Sequence, residues 1–391
     1  MAGARVVVAM SGGVDSSVAA ALLRDAGYDV VGVSMLLAMQ PAASVRAGQG
    51  CCSLEDFRDA RRVAERLGVP YYVWNLADAF RVKVQDVFVR EYLRGRTPNP
   101  CVLCNQDLKF DELWRRAAAL GADFVATGHY ARVVRTEGGR SRLLRARDTA
   151  KDQSYFLFGL SPAQLARTLF PLGDLTKDEV RAVARRLDLG VADKAESQEI
   201  CFVPDRDYAG FVERRAEARP RSGSLVDEEG RVVGAHAGVH RFTVGQRRGL
   251  GVAAGTPRYV TAIEAETATV RIGGRPALDA VGLVAGDVRW MDGPVDEAAV
   301  RIRHRHAPVA ARLRVLAGDR VEARFLAPVA AVTPGQAAVF YRGDEVVGGG
   351  WIATALGAAP GVVAAGAAAA TNGAATTSPD AAAEVERGGD A

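Results

Sequence analysis

The stretch Ala9-Met-Ser-Gly-Gly-Val-Asp-Ser-Ser17 constrains this chain more than any other. The apolar, β-branched run Arg5-Val-Val-Val-Ala9 before it predicts a buried first strand. The residues after it, Val14 to Ala26, carry small and apolar side chains at helical spacing and stop at Gly27, a C-cap signal. Strand, Gly/Ser loop and helix start together form an anion site, because glycines admit a phosphate to the backbone and the first helical amides point at it. Ser11, Ser16 and Ser17 add hydroxyl donors. Asp15 is an acid where an anion should sit, which makes chemical sense if a divalent cation joins the phosphates. The loop has neither the lysine of GxxxxGK[ST] nor the spacing of GxGxxG. The plainer reading is a tight glycine turn with a capping serine.

A chain of 391 residues is long for one core and predicts two or three domains. With 49% apolar and 25% charged residues it reads as an ordinary globular protein. No run of 18 apolar residues and no signal pattern appear, so the expectation is a cytoplasmic protein away from membranes. The last residues, from Gly361, carry Asp380, Glu384, Glu386 and Asp390 against Arg387, a net −3 within the chain's +4, which leaves +7 on residues 1–360. That mild basic excess is compatible with a nucleic-acid partner. Only five of the 50 basic residues are lysines.

Residues 1–134 alternate strands and helices. Strands are expected at Asp29–Leu37, Tyr71–Asn75 and Phe124–Tyr130, and helices at Leu54–Leu67, Phe80–Leu93 and Phe110–Leu120, with a loop over Gln40–Gly50. This alternation implies an α/β parallel sheet, whose ligands sit at the carboxyl ends of its strands. The Ser11 loop, Met35 and Gly128-His129 all fall at such ends and are expected to line one pocket. Residues 135–215 read as mainly helical, with Ser161 and Thr176 as N-caps. From about 216 the pattern becomes short strands and Gly-rich turns, including runs at Val300–His304, Arg312–Leu316, Val321–Phe325 and Ala338–Tyr341. The expected organisation is an α/β anion-binding domain over 1–215 with a helical insertion, a small β-rich domain over 216–278, a β-barrel over 279–355 and a disordered Ala/Gly-rich tail over 356–391.

Five cysteines are too few, and an odd number, for a disulfide scaffold. Cys101 and Cys104 lie in Thr97-Pro-Asn-Pro-Cys-Val-Leu-Cys104, where two prolines predict an extended loop entering a helix. Cys104 is thus expected near a helix N-terminus, whose dipole favours a thiolate. Three readings stand side by side: a structural zinc site, a thioredoxin-like redox pair, and sulfur transfer with Cys201. Cys51 and Cys52 are adjacent rather than spaced and read as bystanders.

The residues Ser11-Gly-Gly-Val-Asp-Ser16 resemble the SGGxDS signature of the PP-loop ATP pyrophosphatases, which split ATP between the α and β phosphates. The resemblance narrows when further motifs are added in chain order. These are Asn99-Pro-Cys-Val-Leu-Cys104, Ala126-Thr-Gly-His-Tyr130, Lys151-Asp-Gln-Ser-Tyr-Phe156, Ser197-Gln-Glu-Ile-Cys-Phe202, Val244-Gly-Gln-Arg-Arg-Gly249 and Gly335-Gln-Ala-Ala-Val-Phe-Tyr341. Over about residues 5–353 the chain resembles the bacterial tRNA-specific 2-thiouridylases. The resemblance implies that ATP with Mg²⁺ is held by Ala9, Met10, Ser11, Gly12, Gly13, Val14, Asp15, Ser16, Met35 and Gly128. It implies Cys104 as nucleophile and Cys201 as persulfide carrier, the two able to form a disulfide, with Asp15 sharing in catalysis. Asn99, Pro100 and Cys101 would approach the target base. His129, Lys151, Asp152, Gln153, Arg303, His304 and Gln336 would contact the anticodon arm of tRNA. The implied reaction adenylates O2 of the wobble uridine and installs sulfur from a persulfide donor, such as a cysteine desulfurase or relay protein. Some members of the family carry an acid where Cys101 stands, so an iron–sulfur cluster on Cys101, Cys104 and Cys201 is a variant mechanism. A PP-loop enzyme adenylating a small metabolite would have no need of Cys104 and Cys201, and a non-catalytic RNA-binding protein would have no need of the Ser11 loop.

Overall fold

Val6, Val7 and Val8 are each fully buried because β1 (Arg5–Ala9) is the middle strand of a parallel sheet covered on both faces. The computed structural model describes residues 3–38, 54–195, 200–253 and 255–357. After β1 come α1 (Val14–Asp25), β2 (Asp29–Leu36), α2 (Leu54–Leu67) and β3 (Tyr71–Asn75). A composite helix follows, made of α3 (Ala77–Phe80), a π turn (Arg81–Gln85) and α4 (Asp86–Leu93). A second composite helix joins α5 (Pro100–Leu103), a π turn (Cys104–Lys109) and α6 (Phe110–Ala119), and leads to β4 (Phe124–Thr127). Next are β5 (Ala131–Arg135), β6 (Ser141–Arg145), α7 (Pro162–Ala166), β7 (Thr168–Leu169), α8 (Lys177–Arg186) and α9 (Tyr208–Arg215). The first sheet runs β3-β2-β1-β4-β7, all parallel.

Alternation along β1 sends its side chains to two cores. Val6 and Val8 meet Val18 and Ala19 of α1, Ala60 and Val63 of α2, and Val180 and Ala184 of α8. Val7 meets Phe110 and Leu113 of α6 on the opposite face. That second core continues through Tyr155 and Leu157 into Ala337, Val339 and Tyr341, residues of the C-terminal sheet. The two expected N-caps are present as full capping boxes, Ser161 with Gln164 and Thr176 with Glu179. Gly27, at φ +83°, follows the end of α1 as its composition predicts.

The second half is β-rich. A four-stranded sheet, β10-β11-β8-β9, is built from β8 (Gly223–Val226), β9 (Val232–His236), β10 (Tyr259–Glu264) and β11 (Thr269–Gly273). The last strands are β12 (Asp279–Trp290), β13 (Glu297–Arg301), β14 (Val309–Leu316), β15 (Arg320–Ala330), β16 (Ala337–Arg342) and β17 (Glu345–Gly357). They pair in the order β12-β15-β14-β13-β16-β17, and β12 also pairs with β17, which closes a six-stranded barrel.

Four expectations change. Residues 135–215 are not mainly helical at their start: β5 and β6 form a hairpin that pairs through Leu144 with Glu345 of β17, extending the barrel sheet. Arginines at 132, 135, 142 and 145 blur the alternation of these half-exposed strands, which hid them in the sequence. The helix expected from Phe110 begins at Pro100, and the helix expected from Phe80 contains a π turn. The strand expected at Val300–His304 ends at Arg301, and residues beyond it turn. The loop expected over Gln40–Gly50, Cys51 and Cys52, Ser197-Gln-Glu199 and the tail beyond Gly357 lie outside the described residues.

One buried ion pair joins the first half to the barrel. The Asp152 carboxylate, 3% exposed, accepts from the Ala146 and Ser154 amides at 3.2 and 3.1 Å and from Arg301 at 3.0 Å. His304 Nε2 lies 3.1 Å from the Asp152 carbonyl, and its ring packs on Phe156. Removing one partner strands a buried charge, so Arg301→Met is expected to cost about 3–5 kcal/mol in denaturant unfolding. Arg301→Met with Asp152→Asn is expected to recover a large part of that loss.

Candidate active site

Gly13 caps α1 with no side chain accepting from the helix, so the first amides of α1 face the loop. Ser16 and Ser17 turn their hydroxyls onto the Gly13 carbonyl at 3.2 and 2.8 Å, and Ser16 Oγ also receives the Ser11 amide at 3.1 Å. These bonds fold the serines around the loop. Gly12 sits at φ +74° with the Asp56 backbone against it, where a Cβ would collide with the Asp56 carbonyl. Lys194 bolts this approach in place: Nζ donates to the Gly12 carbonyl at 3.1 Å, Asp56 at 2.8 Å and Asp59 at 2.6 Å. Burial works against the Lys194 charge, and the two carboxylates outweigh it, leaving its pKa raised.

Asp15 points into the site with its carboxylate held by two groups. Lys177 Nζ lies 2.7 and 2.9 Å from its two oxygens, and Tyr130 OH donates to it at 2.8 Å. The turn after β4 presses against the start of α1, since a Cβ on Gly128 would lie 2.6 Å from the Ser16 nitrogen. Gln153 is fixed to the same turn by two bonds of 2.9 Å, from the Tyr130 amide to its Oε1 and from its own amide to the Tyr130 carbonyl.

The cysteine loop is set from both ends. Asn99 caps α5 by accepting from the Val102 amide at 3.3 Å, and Pro100 occupies the first turn. On the other side the barrel grips Thr97, whose amide donates to the Pro334 carbonyl at 2.9 Å and whose carbonyl accepts from Gln336 Nε2 at 2.8 Å. Cys104 is buried at the junction of α5 and the π turn, one turn from the helix start. It belongs to an apolar cluster with Phe80, Val84, Leu108 and Phe202, against which Cys201 packs. Cys101 is exposed, and no disulfide joins Cys101, Cys104 and Cys201.

These pieces enclose a cavity of about 330 Å³. Ala9, Met10, Ser11, Asp15, Ser16, Met35, Pro100, Cys101, Cys104, Gly128, His129, Gln153 and Cys201 line it. Gly12, Gly13 and Val14 belong to the loop that forms one wall, and Asn99 caps the helix that brings the cysteines in. His129 Nδ1 lies 2.7 Å from Thr127 Oγ1, and burial with the Lys109 charge pushes its pKa down, so the ring is neutral at ordinary pH. Lys151, Asp152, Arg303, His304 and Gln336 are outside the cavity lining. Arg303 is exposed, Asp152 has its carboxylate turned inward to Arg301, and Gln336 is spent on Thr97.

Lys177, Lys194, Tyr130, Asp56 and Lys109 were not singled out by sequence: the first four reach the loop across tens to hundreds of residues, and Lys109 enters the cavity through a π turn that leaves no mark in the pattern. Asp15 and phosphate oxygens are the hard donors Mg²⁺ takes, and in this conformation Lys177 occupies the carboxylate in the cation's place. A cluster does not fit the cysteines as placed: among the described residues no three Cys, His, Asp or Glu side chains come together closely enough to hold a metal ion. No helix among them is long and apolar enough to cross a membrane.

Residues 4–205 match a family model described as the tRNA methyl transferase HUP domain, 209–274 one described as the tRNA methyl transferase PRC-barrel domain, and 281–352 one described as the aminomethyltransferase beta-barrel domain. The tRNA-specific 2-thiouridylase MnmA of Geobacter metallireducens is 55% identical over 358 residues, covering 90% of this chain and 97% of that protein. The protein of the same name from Sorangium cellulosum is 53% identical over 362 residues, covering 90% and 93%. Among solved structures, a 4-thiouridine synthetase–RNA complex with bound ATP aligns at TM-score 0.36 and 16% identity, over 52% of this chain and 46% of that one. NMN synthetase from Francisella tularensis aligns at TM-score 0.31 and 17% identity, over 55% and 76%. Likeness to the solved structures is too low to carry an argument, but identity above one half over nine-tenths of the chain decides the matter. This chain belongs to the family of the bacterial tRNA-specific 2-thiouridylases.

Proposed function

We propose that the chain uses ATP to replace O2 of the wobble uridine of tRNA with sulfur, giving 2-thiouridine, AMP and pyrophosphate. The observation that carries this reading is that the Ser11–Ser16 loop, Cys104 and Cys201 line one cavity. The C2 carbonyl of uridine is a poor electrophile with a poor leaving group. Adenylation of O2 turns that oxygen into part of a phosphate leaving group, and the loop amides with Ser11 and Ser16 hold the phosphates for it. Asp15 would hold Mg²⁺, which supplies charge neutralisation on the phosphates when bound. The base must leave its stack to enter the cavity, where Pro100 and Cys101 meet it beside the neutral His129.

Sulfur arrives as a persulfide on Cys201, taken from a donor protein. Its terminal sulfur attacks C2 as AMP departs with the oxygen, leaving Cys201 disulfide-linked to the base. The Cys104 thiolate then attacks the Cys201 sulfur, and the electron pair of the broken S–S bond leaves with the sulfur on C2. The product is 2-thiouridine and a Cys104–Cys201 disulfide, which a thiol reductant must open before the next turnover. The cytoplasm, which keeps thiols reduced, is where such a cycle would run. Exposed Arg303 and Arg305, with Lys151, would meet the anticodon arm. In this conformation Asp152 and Gln336 serve the joints between the barrel and the first half.

The deciding experiment is mass spectrometry of tRNA nucleosides after incubation with ATP, Mg²⁺ and a persulfide source; absence of 2-thiouridine sinks the proposal. Cys104→Ser and Cys201→Ser are each expected to abolish 2-thiouridine while leaving ATP binding intact. Normal product with Cys201→Ser would remove the persulfide role. Gly128→Ala puts a methyl against the Ser16 nitrogen and is expected to weaken ATP binding by about tenfold or more in calorimetry, with little change in thiol reactivity.

A further inference from the structure

Cys104 has to ionise to attack, and its surroundings oppose that. The thiol is buried among Phe80, Val84, Leu108 and Phe202, where a charge is poorly solvated. It also sits a turn inside the helix, past the amides that would help most.

The helix changes register at this residue. Over Cys104–Lys109 it widens into a π turn, and the Phe110 amide donates to the Asn105 carbonyl, five residues back. In an α-helix, residues five apart point about 140° away from each other. The wider turn brings them nearly into line, and π turns of this kind recur at functional sites. Here the consequence is visible: Cys104 and Lys109 both line the cavity. A regular α-helix would have turned Lys109 away.

We infer that Lys109 is a positioning residue for the sulfur chemistry: its ammonium, delivered by the π turn, holds Cys104 as the thiolate. The inference rests on the thiolation reading only for what that thiolate is used for. The charge of Lys109 already reaches the cavity, since with burial it holds His129 below its ordinary pKa. Among the described residues, the other groups around Cys104 do not supply this charge. Neither Cys101 nor Cys201 can bring a positive charge, His129 is neutral, and Asp15 and Asp56 on the far wall are acids held by Lys177 and Lys194. On the packed π turn, Lys83 donates to the Asp107 carbonyl at 2.8 Å, and burial raises the Asp107 pKa.

The test uses the full chain without ATP, tRNA or sulfur donor. Iodoacetamide alkylation of Cys104 is followed by peptide mass spectrometry from about pH 5 to about pH 10. In Lys109→Gln the midpoint of alkylation is expected to rise by about one pH unit or more, because the thiolate has lost its cation. Lys109→Arg is expected to stay near the parent, and Lys83→Gln to leave the midpoint in place. Should Lys109→Gln not fold, Lys109→Met keeps the apolar stem and makes the same comparison. An unmoved midpoint in the glutamine or methionine variant overturns the inference, and so does an equal rise in Lys83→Gln. Failure to form 2-thiouridine by the parent protein, with the midpoint shift present, would instead count against the thiolation reading alone.

Discussion

Backbone contact between the Gly128 turn and the first turn of α1 is the constraint on which the cavity depends. β1 and β4 are neighbours in a parallel sheet, so the loops leaving their carboxyl ends must share one small volume. Only a residue without a Cβ lets them do so, because any side chain at 128 would meet the Ser16 nitrogen. That approach carries Tyr130 to Asp15, and through Tyr130 it fixes Gln153 at the cavity edge. Gly12 repeats the arrangement on the other side, where the backbone of α2 comes in at Asp56. The site is made by backbones touching before any side chain is chosen.

The barrel has more to do than present a surface. Its β15–β16 corner, Pro334 to Gln336, holds Thr97 by both backbone groups, two residues before the cap of the cysteine helix. Asp152 is bound to Arg301 next to Gln153, which lines the cavity. The core under the sheet runs on without a break into Ala337, Val339 and Tyr341. An RNA pulling on the exposed turn at Arg303 and Arg305 would thus pull on the same joints that set Gln153 and Asn99.

Much of this was legible in local sequence rules. Val6 to Val8 read as a buried strand, Gly27 as a helix stop, and Ser161 and Thr176 as caps, because each signal acts within a few residues. The meeting of Met35, Gly128 and the Ser11 loop followed from strand ends alone. What stayed hidden was set by distance or by small changes of register. Nothing near Lys177 announces that it closes on Asp15, 162 positions away. The hairpin at 131–145 pairs with a strand two hundred residues on, and its arginines mask the alternation. The π turn at Cys104 adds no residue type that a helix would refuse, so it leaves no trace in the pattern.

The scarcity of lysine becomes informative once the structure is known. A chain with this preference for arginine keeps five lysines, and three of them, Lys109, Lys177 and Lys194, stand at the loop or the cavity. Geometry explains why arginine does not replace one of them. Lys194 gathers oxygens of Gly12, Asp56 and Asp59 onto one point. A compact ammonium with three donors fits such a convergence, whereas a planar guanidinium spreads its donors over a fork and needs more room. At solvent-facing ion pairs such as Arg140–Asp292 that difference costs nothing, and there the arginines stand. Where backbones are pressed together around a phosphate-sized space, the smaller cation is the one that can be accommodated.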